Sequence, residues 1–242
     1  MVNKLVVIDP GHGGKDSGAL GNGLKEKDIT LTIATEVARR LQEDYEGVRC
    51  LMTRSTDVYL TLNERTNKAN TANADLLLSI HVNAGGGAGG FESFTYTTSD
   101  KATASLQNVL HTWIMAQLKP FNVIDRGQKK KDLHMCRESK MPAVLTECLF
   151  IDVVADATRL KRADVIEAFI SGHVLGVAKY LGLKAKQIQQ ANDSVTIAVN
   201  GKPVAGGKII DGVTMVPARA VGEALGGKVT WDPSVRHVDI NL

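Results

Sequence analysis

Three side chains able to ligate a metal or carry protons stand where apolar runs stop: His12, His81 and Glu147. Leu5-Val6-Val7-Ile8 reads as a buried strand, and Asp9-Pro10-Gly11 ends it just before His12. Asp75 to Asn83 repeats that grammar with His81, and Pro142 to Glu147 repeats it with a carboxylate. The carboxyl edge of an open α/β sheet is where sites are built, and glycines around His12 give an ion or substrate room to approach the ring. Two neutral imidazoles plus one carboxylate make a catalytic zinc set whose fourth position stays open to water. Glu26 is a further carboxylate, but an ordinary acidic helix start also explains it, because the dipole favours negative charge there.

The elements that must position these residues follow from apolar periodicity. Ile29, Leu31, Ile33, Ala34, Val37, Ala38 and Leu41 give the period of an amphipathic helix of about four turns. A strand is expected over Val48 to Thr53, a helix over Leu60 to Ala72, a strand over Phe91 to Thr97 and a helix over Ala102 to Leu118. Arg162 to Leu181 reads as a closing helix. His111 and His173 read as packing or surface residues on their helices. Alternating strands and helices specify an α/β fold: a mostly parallel sheet with helices on both faces. Gly85 to Gly90 is a glycine-rich loop placed to line or gate a cleft. Asp125 to Leu133 reads as a basic loop; a charge run is usually a solvated face, yet this one leads into the strand ending at Glu147, where it can hold an anionic substrate.

The texture changes after Leu181. A catalytic domain is expected over 1–182, a linker over 183–192 and a small α+β domain over 193–242. Val195 to Val199 followed by Asn200-Gly201 signals a hairpin. Val216 to Gly226 reads as a short helix, and Val229 to Trp231 and His237 to Ile240 as strands. About 50 residues is marginal for independent stability, so this module is expected to pair with a copy of itself or to dock on the first domain. It carries no catalytic set, which points to binding.

The composition excludes several classes. A net charge of +3 with 5% aromatic residues argues against a nucleic-acid binder. No stretch approaches the roughly 18 apolar residues of a membrane span. Cys50, Cys136 and Cys148 are odd in number and lack CxxC spacing, so they are expected to be reduced and packed. A dinucleotide loop at Gly11-His12-Gly13-Gly14 is excluded by Asp16, which would set a negative charge where the third glycine belongs.

As a set, Asp9-Pro10-Gly11-His12-Gly13-Gly14, Glu26-Lys27-Asp28, Thr53-Arg54, Ser79-Ile80-His81-Val82-Asn83-Ala84 and Pro142 to Glu147 resemble the zinc-dependent N-acetylmuramoyl-L-alanine amidases of the amidase-3 type. The resemblance covers about residues 4–181 and implies a phosphorylase/hydrolase-like α/β domain. It implies one zinc ion on His12, Glu26 and His81, with Glu147 as the catalytic carboxylate. The substrate would be peptidoglycan, cut at the amide between N-acetylmuramic acid and L-alanine, with Asn83, Arg126 and Lys129 as expected substrate contacts. Cys148-Leu149-Phe150 and Ile151-Asp152 depart from the family pattern, which bears on substrate preference and leaves the ligands and Glu147 intact. The tail resembles the small wall-associated domain named after the amino terminus of copper amine oxidases; a lone His237 is no copper site. Met1 to Lys4 lead straight into the first strand without room for a signal peptide. The expectation is therefore synthesis in a host cytoplasm and action on the wall after release, as for a phage endolysin. A bacterial autolysin or mother-cell lysis amidase is the alternative. A catalytically silent wall-binding protein would have lost a ligand or Glu147, and a zinc peptidase or deacetylase would differ in its products.

Overall fold

Val6 and Ile8 bury one face of the first strand and Val7 the other, with no exposure on either side. That is why the strand reads as a continuous apolar run rather than an alternation. Residues 3–186, 194–210, 213–232 and 237–241 are described by the computed structural model of the chain. The chain forms two units, residues 1–186 and 187–242.

In the first unit the order is β1 (Lys4–Pro10), the two-residue strands β2 (Leu20–Gly21) and β3 (Leu24–Lys25), α1 (Glu26–Asp44), β4 (Val48–Met52), α2 (Leu62–Thr71) and β5 (Leu76–Asn83). There follow β6 (Phe91–Thr95), α3 (Lys101–Leu118), β7 (Asp125–Lys130), α4 (His134–Arg137), β8 (Ala143–Phe150), α5 (Val154–Leu160) and α6 (Ala163–Leu181). Six strands lie in the order β4-β1-β5-β8-β6-β7. The first four are parallel; β6 runs antiparallel to β8, and β7 runs parallel to β6. On one face Ile33 and Val37 of α1, Leu110 and Ile114 of α3 and Phe169 of α6 close the main core. On the other, Ala69 of α2 and Met135 of α4 cover Val7 and Leu77. Thr61 and Glu64 form a reciprocal capping box that starts α2.

Three expectations change. Asp125 to Lys130 is not a loop but the edge strand β7, whose lysine-rich side chains suit an unpaired edge and hide the strand from an apolar-pattern reading. The seven-residue helix α5 precedes α6 and is too short to show a helical period. The expected linker is anchored at its start: Leu183 N–H donates to Ala178, Lys184 C=O accepts from Glu46, and Lys186 N–H donates to Asp44. The rest of that segment lies outside the described residues.

In the second unit β9 (Ser194–Val199) and β10 (Lys202–Ile210) form the hairpin signalled by Asn200-Gly201, both of which adopt positive φ. β11 (Val213–Met215) pairs with β10, and α7 (Ala218–Ala224) precedes the hairpin β12 (Lys228–Asp232) and β13 (His237–Asn241).

The end of β1 is held by a buried polar network. Asp9 is fully buried and accepts from Thr53 Oγ1 (2.5 Å), Ser79 Oγ (2.7 Å) and Arg65 Nη1 (2.9 Å). Burial alone would raise this carboxyl, but the Arg65 charge and the two hydroxyls outweigh it and hold it below its ordinary value. Arg65 also donates to the carbonyls of Pro10 (2.7 Å) and His12 (2.6 Å), while buried Arg54 donates to those of Pro10 (3.0 Å) and Gly11 (2.9 Å). Breaking a buried pair from one side leaves an uncompensated charge, which costs about 3–5 kcal/mol. Arg65→Met should therefore lower unfolding stability in urea by about that amount; a loss below about 1 kcal/mol would contradict the network's role.

Candidate metal centre

Glu26 occupies the first position of α1, is 4% exposed and is shared by two imidazoles. Its Oε2 lies 3.2 Å from His12 Nε2 and accepts from the Ala19 N–H at 2.8 Å. Its Oε1 lies 3.0 Å from His81 Nδ1 and accepts from the Val82 N–H at 2.9 Å. One ligand atom from each of His12, Glu26 and His81 falls within 4.8 Å of the others. His12 lies two residues beyond β1 at φ +62°, a left-handed conformation unusual for a residue with a side chain. The Arg65 bond to its carbonyl holds it there, and Asp16 Oδ2, 2.9 Å from Nδ1, orients the ring. The two rings meet edge to face at 5.1 Å. Gly11 is required by close approach, since a Cβ there would stand 2.3 Å from the His81 ring.

The charges favour a cation. Burial alone would lower His12, but hydrogen bonds and charge from Glu26, then from Asp16, outweigh it and push the imidazole up to about 9. His81 is raised in the same way, mainly by Glu26 against the effect of burial. Glu26 is held far below the ordinary carboxylate range: both imidazoles overcome the opposing effect of burial. A negative oxygen pair flanked by two nitrogens is a donor set suited to a divalent metal of borderline softness, which competes with protons for the same lone pairs.

Glu147 sits opposite His81 in the β5–β8 register. Its Oε2 is sealed from solvent without a hydrogen-bond partner among the described residues, and burial pushes the carboxyl up to about 7. An orphaned carboxyl oxygen beside a cluster of ligand-type side chains marks a functional position.

Asn83, Arg126 and Lys129 converge on one residue, Glu92. Asn83 Nδ2 donates to Glu92 Oε1 at 2.6 Å, Arg126 Nε donates to Oε2 at 2.8 Å, and Lys129 Nζ pairs with that second oxygen. Sequence reasoning missed Glu92. The available signal was a carboxylate within the alternating stretch Phe91 to Thr97, and the structure buries every residue of that strand. Glu92 stands opposite Glu147 in the β6–β8 register. Asn83, Glu92, Arg126, Lys131 and Glu147 line one cavity; Gly11, His12, Tyr59, Leu60, Leu62 and His81 line another.

Two other histidines are structural. His111 bonds Ser93 Oγ and Asp125 Oδ1, both at 2.9 Å, an order resembling a nucleophilic triad, but Ser93 is fully buried and meets no substrate. His173 is fully buried between Thr146 Oγ1 (2.9 Å) and the Phe169 carbonyl (2.7 Å), and burial pulls it down to about 4.

Residues 6–179 match the family described as N-acetylmuramoyl-L-alanine amidase, and residues 177–240 match the copper amine oxidase N-terminal domain. The chain is 46% identical over 179 residues to the sporulation-specific N-acetylmuramoyl-L-alanine amidase of Bacillus subtilis (strain 168), covering 74% of this chain and 69% of the relative. It is also 46% identical over 187 residues to the endolysin of Bacillus phage SPP1, covering 76% and 69%. The crystal structure of N-acetylmuramoyl-L-alanine amidase from Clostridium difficile 630 superposes with a TM-score of 0.71 at 32% identity, over 75% of this chain and 98% of that one.

The Glu147 carboxyl gives a pH signature. The folded chain keeps its proton up to about pH 7, whereas the unfolded carboxyl loses it near 4.5. Its contribution to stability therefore declines as pH rises between those values and stays lowered above them. In chelator, Glu147→Gln should gain melting temperature on the wild type between about pH 5 and about pH 8, by roughly 5–10 °C. A constant difference across that range would contradict the shift.

Proposed function

The chain belongs to the N-acetylmuramoyl-L-alanine amidase family, and we infer that His12, Glu26 and His81 hold one Zn2+ beside a proton-carrying Glu147. The chain is a peptidoglycan hydrolase acting on the amide between N-acetylmuramic acid and L-alanine. The observation supporting the metal assignment is the single Glu26 carboxylate bridging two imidazoles, with the unpartnered Glu147 oxygen nearby.

When bound, Zn2+ supplies a Lewis acid that lowers the pKa of water from 15.7 toward about 7 and polarises the scissile carbonyl. To hold the ion both imidazoles would have to offer nitrogen lone pairs, so His12, pushed up to about 9 without metal, would give up its proton at neutral pH. Ala19 and Val82 N–H groups, together with Asp16, fix the donors in place. Glu147 accepts a proton from the attacking water and returns it to the amide nitrogen as the carbon–nitrogen bond breaks. Burial raises this carboxyl above its ordinary value, which helps it hold the proton between the two transfers.

The biological setting follows the relatives: lysis of a host or a mother cell from within, with wall turnover as the alternative. The endolysin of Bacillus phage SPP1 supports the host-lysis setting, and the sporulation-specific amidase supports a setting in sporulation. Among the described residues no helix is long and apolar enough to cross a membrane. We assign residues 187–242, most of which fall in the match to the copper amine oxidase N-terminal domain, to retaining the enzyme on the wall.

Two outcomes test this. Glu147→Ala should retain Zn2+ yet release L-alanine amino ends from purified peptidoglycan about a hundredfold to ten-thousandfold more slowly, and chelation should abolish release until Zn2+ is restored. Near-full activity in the variant would overturn its role. A chain ending after Lys186 should keep its rate on soluble muropeptides while sedimenting less with whole cell walls; unchanged sedimentation would remove the retention role.

A further inference from the structure

The strand order lays the site out along a line. From β4 to β7 the sheet edge presents in turn the loop 54–61, His12 after β1, His81 on β5, Glu147 on β8, Glu92 on β6 and Arg126 with Lys129 on β7. Neighbouring strands stand about 4.8 Å apart, so this line spans roughly 24 Å. Its ends differ in chemistry.

At the β4 end Val58, Tyr59 and Leu62 are 47%, 41% and 52% exposed and form an apolar rim. The rim is fixed: Gly14 N–H donates to Asp57 Oδ1 at 2.7 Å, Lys27 Nζ donates to Asp57 Oδ2 at 2.6 Å, and Arg54 Nη1 donates to Thr56 O at 3.1 Å. Lys15 Nζ lies over the Tyr59 ring, 4.5 Å from its centroid. At the β7 end the charge is cationic. Arg126 and Lys129 are paired with Glu92, whereas Lys131 lines the same cavity without a carboxylate partner among the described residues.

We propose that the scissile amide lies along this line in one direction only: the neutral muramoyl sugar on the Tyr59–Leu62 rim, and the stem peptide over Glu92 with Lys131 taking the carboxylate of its second residue. Two independent observations agree on that direction. Proton return to the leaving alanine nitrogen requires the amine side to face Glu147, and Glu147 lines the cavity of Arg126 and Lys131. Charge complementarity sends the acidic peptide to the same cavity and leaves an uncharged sugar for the apolar rim, where an aromatic face packs against C–H groups. Glu92 is then a positioning residue that holds the Arg126 fork and the Lys129 ammonium flat along the peptide's path. The proposal rests on the amidase reading above.

The test uses soluble muramoyl peptides whose second residue bears a free or an amidated α-carboxyl, and a lactoyl peptide that lacks the sugar. Lys131→Ala should lower kcat/KM about tenfold on the free-carboxyl stem and leave the amidated stem within about twofold, as loss of one charge-assisted hydrogen bond requires. Tyr59→Ala should lower kcat/KM about three- to tenfold on both muramoyl substrates and leave the lactoyl peptide unchanged, with Tyr59→Phe restoring the rate. Both side chains are exposed, so folding is unaffected; melting temperatures check this, and Lys131→Gln replaces any variant that fails. The proposal is overturned if the Lys131 effect ignores amidation, or if the Tyr59 effect persists without the sugar or tracks stem charge. Failure of the wild type to cut any muramoyl–alanine bond would instead overturn the amidase reading.

Discussion

Glu26 shares one carboxylate between two imidazoles that the chain delivers from different strands. The first helix can begin there because its dipole accepts a negative residue at its first position, and two backbone N–H groups complete the oxygens' bonds. Each imidazole then owes its position to something else: His81 to the register of β5, His12 to a turn in a conformation its own side chain disfavours.

That turn is where fold and chemistry meet. Asp9, Arg54 and Arg65 form a buried polar network beneath it, and between them the two arginines donate hydrogen bonds to the carbonyls of Pro10, Gly11 and His12. Replacing the whole network at once with packed apolar side chains would serve stability as well, because buried ion pairs recover little beyond their desolvation cost. What the network supplies is direction: carbonyls fixed by planar guanidinium forks cannot relax, so the His12 ring stays aimed at Glu26. Strain held at a functional site in this manner is sustained by the well-packed sheet around it.

Much of this arrangement was legible in the sequence, for physical reasons. The strands β1, β5 and β8 are buried on both faces, so they appear as apolar runs, and a histidine or carboxylate in the last part of each or just beyond it stands out. The amphipathic helices α1 and α3 are long enough to show their period. The edge strand β7 was hidden by its lysines, and the reversed direction of β6 leaves no local mark. Residue type alone did not separate Glu26 from an ordinary acidic first turn; its partner His81 is 55 residues away. Glu92 was missed for the same reason, its partners Arg126 and Lys129 lying 34 and 37 residues on in sequence.

The central claim is that His12, Glu26 and His81 grip a single divalent ion while Glu147 stays outside its coordination. Zinc-edge anomalous diffraction from zinc-loaded crystals of the full chain tests this directly. The account predicts one anomalous peak bonded to two imidazole nitrogens and a Glu26 oxygen, with Glu147 within hydrogen-bond reach of the remaining coordinated solvent. A peak elsewhere, either imidazole turned away, or Glu147 bonded to the metal itself would contradict it.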